Sequence, residues 1–186
     1  ILGAYGDGGF ITTKSYKDFL KIKRLRFYGI ETINKKNLFY KKYYANENGI
    51  NSRLDEIQSS ILNIKLRYVD HFINKRIKLA NLYLKYLKNT NIKLPKTSKL
   101  KKHVFHLFTV SHPKKEKIVR ILGKNKIGTR VIYPYPINMM KGYKNYKFFD
   151  NNLKYSEKLS KEIFSLPLYP ELKEYEVRKI CLALIK

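Results

Sequence analysis

Three stretches in the first half of the chain carry apolar residues at the spacing of an amphipathic helix. In Ser15–Arg26 the apolar positions fall three and four apart, and Gly29 follows as a stop. From Leu54 to Tyr68 apolar residues recur at steps of three and four, which predicts a helix with one buried face. Val69–Lys88 repeats the pattern with lysines on the outward side. The sequence therefore predicts three helices in this half.

The second half alternates between β-favouring and helical segments. The strand-like segments are His103–Ser111 and Gly128–Tyr133, and Ser165–Pro170 is a short extended piece stiffened by two prolines. The helical segments are Lys114–Lys124, Tyr155–Phe164 with Ser156 as N-cap, and Lys173–Ile185. Strands that alternate with helices predict a small α/β layer.

Glycines punctuate the first residues of the chain. Four of them stand within Gly3–Gly9 and the β-favouring run Phe10–Thr13 follows, so we expect a turn that leads into a strand. Thr32–Asn48 is polar, rich in tyrosine and weakly periodic, which predicts a loop. Thr90–Lys102 combines a proline with Ser, Thr and many lysines and predicts a linker, with a domain boundary near residue 90.

The chain has a formal net charge of +26, which favours polyanions in general, so a basic nucleic-acid-binding protein is one alternative. Only eight of the forty basic residues are arginines, and the lysines are spread along the whole chain without a zinc-finger or RNP-like pattern. We therefore interpret the charge as solvated surface and do not expect nucleic acid as a partner. No apolar run is long enough to span a bilayer. The single cysteine, Cys181, fits a reducing cytoplasm and a place in the core.

A helix-start signal follows Asn51. Ser52 and Asp55 have the Ser-x-x-acid spacing of a capping box, which predicts a helix that begins just after Ser52. Asn51 would then lie at a helix N-terminus, where free N–H groups favour an anion such as phosphate, and Arg53 can add a guanidinium. The alternative, which the local pattern alone favours, is that Asn51 is only a turn residue before an ordinary cap.

Two histidines stand three residues apart in a segment that we predict to be a strand. On a strand this spacing puts the rings of His103 and His106 on opposite faces, so they cannot share a metal ion. We expect packing or a backbone hydrogen bond for each, and no metal site.

Five segments of the chain match, in order, the motifs of one family. Leu2–Gly9 reads Leu-Gly-Ala-x-Gly-Asp-x-Gly and Asn51–Gln58 reads Asn-Ser-Arg-Leu-Asp-x-x-Gln. Both resemble the pyridoxal-phosphate (PLP)-dependent sugar aminotransferases of the DegT/DnrJ/StrS group, in which one residue separates the cofactor-bearing lysine from the first motif. The other matching segments are His103–Phe108, Val131–Pro136 and Leu159–Leu172. The resemblance covers nearly the whole chain.

The resemblance implies an α/β fold, the C-terminal part of a fold-type-I (aspartate aminotransferase-like) PLP-dependent transferase. In this interpretation residues 1–53 end the large PLP-binding domain, 54–90 form linking helices and 91–186 form a small α/β domain. The cofactor would be pyridoxal 5'-phosphate. Its lysine is expected immediately before Ile1, so that no catalytic residue lies within these 186 residues, and we expect the chain alone to be inactive.

The resemblance also implies a reaction and roles for three residues. An amino acid such as glutamate would donate an amino group to a keto nucleotide sugar, in a cytoplasmic homodimer with shared active sites. Asn51 would contact the PLP phosphate of the neighbouring subunit, with Arg53 in support. Tyr133 would contact the sugar or the edge of the cofactor.

The chain departs from the family pattern beside Tyr133. Ile132 stands where the family has a histidine before Tyr-Pro, and Asn138–Met140 stands where His-Leu-Gln is common. An apolar side chain removes hydrogen bonds that a polar sugar would need, so these positions predict a changed substrate preference. They also leave an alternative in which the protein is a non-catalytic remnant or regulatory relative that keeps the fold.

Overall fold

The computed structural model describes residues 1–30, 43–98, 100–143, 145–146 and 153–185, and most of the predicted loop Thr32–Asn48 lies outside them. The described helices are α1 (Tyr16–Leu25), α2 (Glu56–Leu66), α3 (Val69–Leu87), α4 (Lys115–Lys124), α5 (Lys154–Glu162) and α6 (Glu174–Ile185). The described strands are β1 (Phe108–Ser111) and β2 (Ile163–Leu166), and short 3-10 turns span Ile137–Met139 and Lys141–Tyr143.

Contacts divide the chain into two compact units. The first unit is Leu2–Tyr68, and the second contains Ile1 and the described residues from Val69 onward. The division falls between α2 and α3, within the residues 54–90 that we predicted as linking helices. The predicted domain limits 1–53, 54–90 and 91–186 refer to a larger fold and stay predictions.

The first unit begins with an irregular segment and then α1. Helix α1 is confirmed, and the Ser15 hydroxyl caps it by accepting a hydrogen bond from the Asp18 N–H at 3.2 Å. The predicted strand Phe10–Thr13 is wrong, because these residues have no partner strand among the described residues. The Phe10 side chain is 85% exposed. High β-propensity alone therefore does not make this segment a strand.

Residues 25–30 and 45–52 hold each other by backbone hydrogen bonds. The Ile50 N–H donates to the Leu25 carbonyl at 2.8 Å, and the Tyr28 N–H donates to the Ile50 carbonyl at 3.1 Å. Gly29 makes this approach possible, since its φ is +73° and a Cβ there would lie 1.8 Å from the Glu47 carbonyl oxygen. These two short segments form the ordered centre of the first unit.

Helix α2 begins later than the capping box predicted. Asp55 is the N-cap and makes no side-chain capping bond, and the first helical residue is Glu56. Ser52 is engaged elsewhere, because its N–H donates to the Arg26 carbonyl at 2.9 Å. A contact distant in sequence has therefore displaced the local cap.

The predicted buried face of α2 is also wrong. None of the residues of α2 is buried, and Ile57 and Ile64 are 76% and 58% exposed. The apolar spacing that predicted the face is present, but no described residue of this unit covers it.

The second unit is built on a small antiparallel sheet. Phe108 lies opposite Leu166, and the pairing continues to the end of β1. Lys93 forms a single bridge to the end of β1, and Arg130 forms another to Ser165 in β2. The sheet therefore has two full strands with one isolated bridge beside each.

Two predicted strands and one predicted cap need correction. His103–Ser111 is confirmed only in its last four residues, which form β1. Gly128–Tyr133 is not a strand and contributes only the bridge at Arg130, because the rest of it has no ladder partner in the described part of the chain. Ser156 lies inside α5, whose N-cap is Leu153. The helices predicted at α3, α4 and α6 are confirmed.

The core of the second unit lies where the sheet meets α3, α4 and α6. Helix α6 packs against both α3 and α4. The Tyr83 and Phe108 rings stack at 4.8 Å between centroids, and both side chains are fully buried. Cys181 is buried, which confirms its expected place in the core, and burial raises the pKa of its thiol to about 12. The other buried apolar side chains are Leu79, Ala80, Leu87, Ile92, Phe105, Val110, Leu122, Phe164, Leu166, Leu168, Leu172, Val177 and Ile180.

Two polar side chains of α3 tie this core to the segment after β2. The Tyr83 hydroxyl donates to the Pro167 carbonyl at 2.9 Å, and burial raises the Tyr83 pKa. Arg76 Nη1 donates to the carbonyl of Leu168 at 2.8 Å and to those of Phe105 and His106 at 3.3 and 3.2 Å. Burial lowers the Arg76 pKa. These bonds hold together two loops, at Phe105 and Leu168, that are 63 residues apart in sequence.

Candidate functional site

Asn51 and Arg53 lie together on the ordered centre of the first unit. Asn51 pairs with Phe27 in an antiparallel bridge. The Arg53 guanidinium carbon lies 5.3 Å from the centroid of the Phe27 ring, within the range of a cation–π contact. Both side chains are exposed. Asn51 is connected to Phe27 through its backbone, and Arg53 contacts Phe27 through its guanidinium.

Backbone hydrogen bonds on both sides of Asn51 fix the main chain from which the Asn51 and Arg53 side chains extend. The residues on either side of Asn51 are hydrogen-bonded, Ile50 to Tyr28 and Ser52 to Arg26. The Arg26 guanidinium Nε also donates to the Ser52 carbonyl at 3.1 Å. The predicted location of Asn51 at a helix N-terminus is wrong, since α2 begins five residues later at Glu56. An anion at Asn51 would be bound by side chains rather than by helix N–H groups.

The free donors at this site suit a phosphate. Among the described residues, no carboxylate lies within ion-pair distance of Arg53, and the Asn51 amide has no hydrogen-bond partner. A guanidinium and an amide N–H are donors that match phosphate oxygens. The donor set at Asn51 and Arg53 therefore fits the phosphate of PLP, although the helix terminus on which the prediction relied is not part of it.

A second feature of the first unit was not predicted from the sequence. The glycine-rich segment Leu2–Gly9, which we call the glycine loop, lies along α2. Gln58 and Lys65 of α2 hydrogen-bond to the backbone of this loop, at Tyr5 and Gly3. The two side chains are seven residues apart and lie on one side of the helix. Four other residues of α2 are polar, so the sequence did not distinguish Gln58 and Lys65 from them.

Tyr133 belongs to the second unit and is 76% exposed. The nearby Asn138 amide nitrogen donates to Glu157 Oε1 at 2.9 Å. The Asn138 amide oxygen is buried and has no hydrogen-bond partner among the described residues. Asn138 is thus held by α5 through its amide nitrogen, while its amide oxygen makes no hydrogen bond to the described residues.

The second unit also contains an open cavity of about 720 Å³ between α6 and the segments that follow α4 and β2. Its basic lining residues are Lys126, Arg130 and Lys179, and Glu176 supplies a carboxylate. Tyr133 does not line it. Within the described ranges, no cluster of three histidine, cysteine or acidic residues is placed to hold a metal ion.

The DegT/DnrJ/EryC1/StrS aminotransferase family model matches residues 1–185. The chain belongs to this family. The dTDP-3-amino-3,4,6-trideoxy-alpha-D-glucose transaminase of Micromonospora megalomicea subsp. nigra is 35% identical over 92% of this chain and 45% of the relative. A pleiotropic regulatory protein of Geobacillus stearothermophilus is 36% identical over 96% of this chain and 48% of the relative.

Among solved structures, S. venezuelae DesV in complex with a ketimine intermediate superposes with a TM-score of 0.86 at 30% identity. The match covers 98% of this chain and 47% of that chain. The family member thus spans about half the length of the curated relatives it matches. The predicted fold class, the C-terminal part of a fold-type-I PLP-dependent transferase, is confirmed. No helix in the described ranges combines the length and apolarity needed to cross a membrane.

Proposed function

We propose that the protein to which this chain belongs transfers an amino group from an amino acid such as glutamate to a keto nucleotide sugar, with PLP as cofactor. The observation that carries the proposal is the family match over residues 1–185. The Micromonospora relative, a sugar transaminase by name, supports the substrate class. The structure of DesV with a ketimine intermediate supports PLP.

When bound, PLP supplies the electron sink that amino-group transfer requires. The protein's contribution here is binding and orientation. In our proposal Asn51 and Arg53 hold the phosphate of a PLP molecule bound to the neighbouring subunit of a homodimer. The Phe27 ring beneath Arg53 restrains the guanidinium, and the paired backbone at Asn51 fixes the position from which its side chain extends. The lysine that carries the cofactor is proposed to precede Ile1.

For the second unit we propose that Tyr133 contacts the sugar. Its exposed hydroxyl can donate to or accept from a sugar hydroxyl. The adjacent Ile132 has no polar atom in its side chain, so hydrogen bonding to the sugar at this position would come from Tyr133.

The test uses the protein expressed from its complete reading frame, with whatever precedes Ile1. The protein is loaded with PLP and glutamate, and a panel of keto nucleotide sugars is added. We expect a visible band of lysine-bound cofactor and an amino-sugar product with a mass change from oxygen to NH. Asn51→Ala should weaken PLP retention by about tenfold or more. A reading frame with no lysine before Ile1, or no product from any sugar, would refute the proposal.

A second candidate function is regulation without turnover. The relative from Geobacillus stearothermophilus is named as a pleiotropic regulatory protein, and Ile132 removes a polar group from the segment of Tyr133. A regulatory relative would keep the fold and bind PLP or a sugar nucleotide without forming an amino sugar. Binding of either ligand by calorimetry, together with no product in the assay above, would favour this candidate.

A further inference from the structure

We propose that Gln58 and Lys65 of α2 are positioning residues for the cofactor lysine. They act by fixing the glycine loop, whose first residue Leu2 would stand two positions after that lysine. The inference rests on the proposed function, in which the lysine precedes Ile1. Neither residue would touch the cofactor.

The side-chain amide of Gln58 binds the loop backbone in the way that a peptide group of a neighbouring strand would. Its Oε1 accepts a hydrogen bond from the Tyr5 N–H at 2.9 Å, and its Nε2 donates to the Tyr5 carbonyl. One side chain thus satisfies both backbone groups of a single loop residue, which resembles the pairing of neighbouring strands. A loop without a partner strand acquires a defined position on a helix in this way.

Lys65 holds the loop at a second point, Gly3, two residues before Tyr5. Its Nζ donates to the Gly3 carbonyl and lies 5.2 Å from the centroid of the Tyr5 ring, so it contacts the loop through both a hydrogen bond and a cation–π interaction. Gln58 and Lys65 lie seven residues apart, close to two helical turns, and therefore contact successive parts of the loop.

The glycines of the loop permit this close approach. Gly6 has a φ of +131°, and a Cβ there would lie 3.1 Å from Gln58 Nε2. A Cβ on Gly8 would lie 3.4 Å from the Leu54 side chain just before α2. The loop composition and the two polar residues of α2 therefore fit each other.

A shift of the loop would move the backbone of the proposed lysine and with it the lysine side chain. A displacement of about 1 Å at a reacting group costs about 100-fold in rate in well-positioned sites. The contact requires an amide at position 58, because a carboxylate can accept from the Tyr5 N–H but cannot donate to the Tyr5 carbonyl. Gln58→Glu keeps the shape of the side chain and replaces one hydrogen bond with repulsion between two oxygens.

The experiment compares Gln58→Glu with Asn63→Asp in the protein expressed from its full reading frame. Asn63 is an exposed residue of the same helix, so the control makes the same amide-to-carboxylate change away from the loop. Gln58→Met removes both hydrogen bonds without a charge, in case the glutamate variant does not fold. Lys65→Arg keeps the cation and its donors and serves as the conservative variant, whereas Lys65→Met removes them.

The first readout is hydrogen exchange of the Tyr5 amide without PLP. We expect exchange about tenfold faster in both Gln58 variants and no change in Asn63→Asp. The second readout is the pH midpoint of the visible band of the lysine-bound cofactor. We expect a shift of about half a pH unit or more in the Gln58 variants and in Lys65→Met, with Lys65→Arg close to the unsubstituted protein.

Two results would overturn the inference. Unchanged exchange at Tyr5 would show that the loop is not held by Gln58. Faster exchange with an unshifted band and unchanged kcat would show that the loop contacts do not position the lysine. Loss of the band in the unsubstituted protein is a different result, because it refutes the proposed function itself and with it any role toward the cofactor lysine.

Discussion

The two units of the chain are held together in different ways. Every buried apolar side chain among the described residues lies in the second unit, where Tyr83, Phe108 and Phe164 form the centre of a packed core. In the described part of the first unit the only buried residue is Gly29. That unit is organised by backbone hydrogen bonds, glycines and polar side chains such as Gln58.

Helices α2 and α3 show what this difference teaches. Both have apolar residues at helical spacing, and both form helices. Helix α3 buries Leu79, Tyr83 and Leu87, whereas α2 buries none of its residues. Hydrophobic periodicity therefore predicts a helix and an apolar face, but burial depends on a partner surface that the helix itself does not specify.

The largest expected effect tests the packed core directly. Phe108→Ala should lower the free energy of unfolding by about 3–5 kcal/mol, because the ring is fully buried against Tyr83 and Phe105. Ile57→Ala, on the exposed face of α2, should change it by less than about 0.5 kcal/mol. Denaturant unfolding of both variants measures the difference. A loss above about 2 kcal/mol for Ile57→Ala would show that the α2 face is covered in solution.

The second effect concerns the backbone contact that organises the first unit. Gly29→Ala places a Cβ 1.8 Å from the Glu47 carbonyl oxygen at a positive φ, so segments 25–30 and 45–52 must separate. We expect a local loss of at least about 1–3 kcal/mol. Hydrogen exchange should rise at Tyr28 and Ile50 and stay unchanged in β1. Equal loss of protection in β1 would show that the two units unfold together.

The sequence predicted elements whose signals are local and missed those that depend on distant contacts. Five of the six described helices, α1, α3, α4, α5 and α6, lie within two residues of their predicted limits, because their signals are local. The start of α2 was missed, since the Ser52 N–H donates to the Arg26 carbonyl instead of taking part in a capping box with Asp55. Phe10–Thr13 was missed because strand propensity without a partner strand does not make a strand.

The candidate site follows the same rule. Family motifs selected Asn51, Arg53 and Tyr133 from sequence, and the structure brings the first two together on Phe27. It does so by a backbone bridge and a cation–π contact, neither of which has a spacing pattern. The loop contacts of Gln58 and Lys65 went unpredicted for the same reason.

A smaller effect is a pH dependence of stability that Cys181 gives to the second unit and that has no counterpart in the first, since the chain's single cysteine lies in the second unit. Burial holds the Cys181 pKa near 12, so the unfolded chain releases this proton above about pH 9 while the folded second unit keeps it. Stability present below pH 9 should therefore fall by up to about 1.4 kcal/mol per pH unit between pH 9 and 10. Cys181→Ala should have a shallower decline over this interval in denaturant unfolding. Parallel declines for both proteins would contradict the assignment.

The smallest effect compares one ion pair from each unit. Arg24 Nη2 and Glu47 Oε1 lie 2.7 Å apart with both side chains 29% exposed, whereas the pair of Lys78 and Glu174 is more exposed at the same distance. Glu47→Gln should cost about 0.5–1 kcal/mol, and Glu174→Gln should be indistinguishable from the unsubstituted protein. The Glu47 effect should also persist in high salt, because partial burial reduces screening. Equal effects would mean that charge pairing stabilises the first unit no more than it stabilises the exposed surface of the second. Its order would then rest on backbone hydrogen bonds and glycine contacts alone.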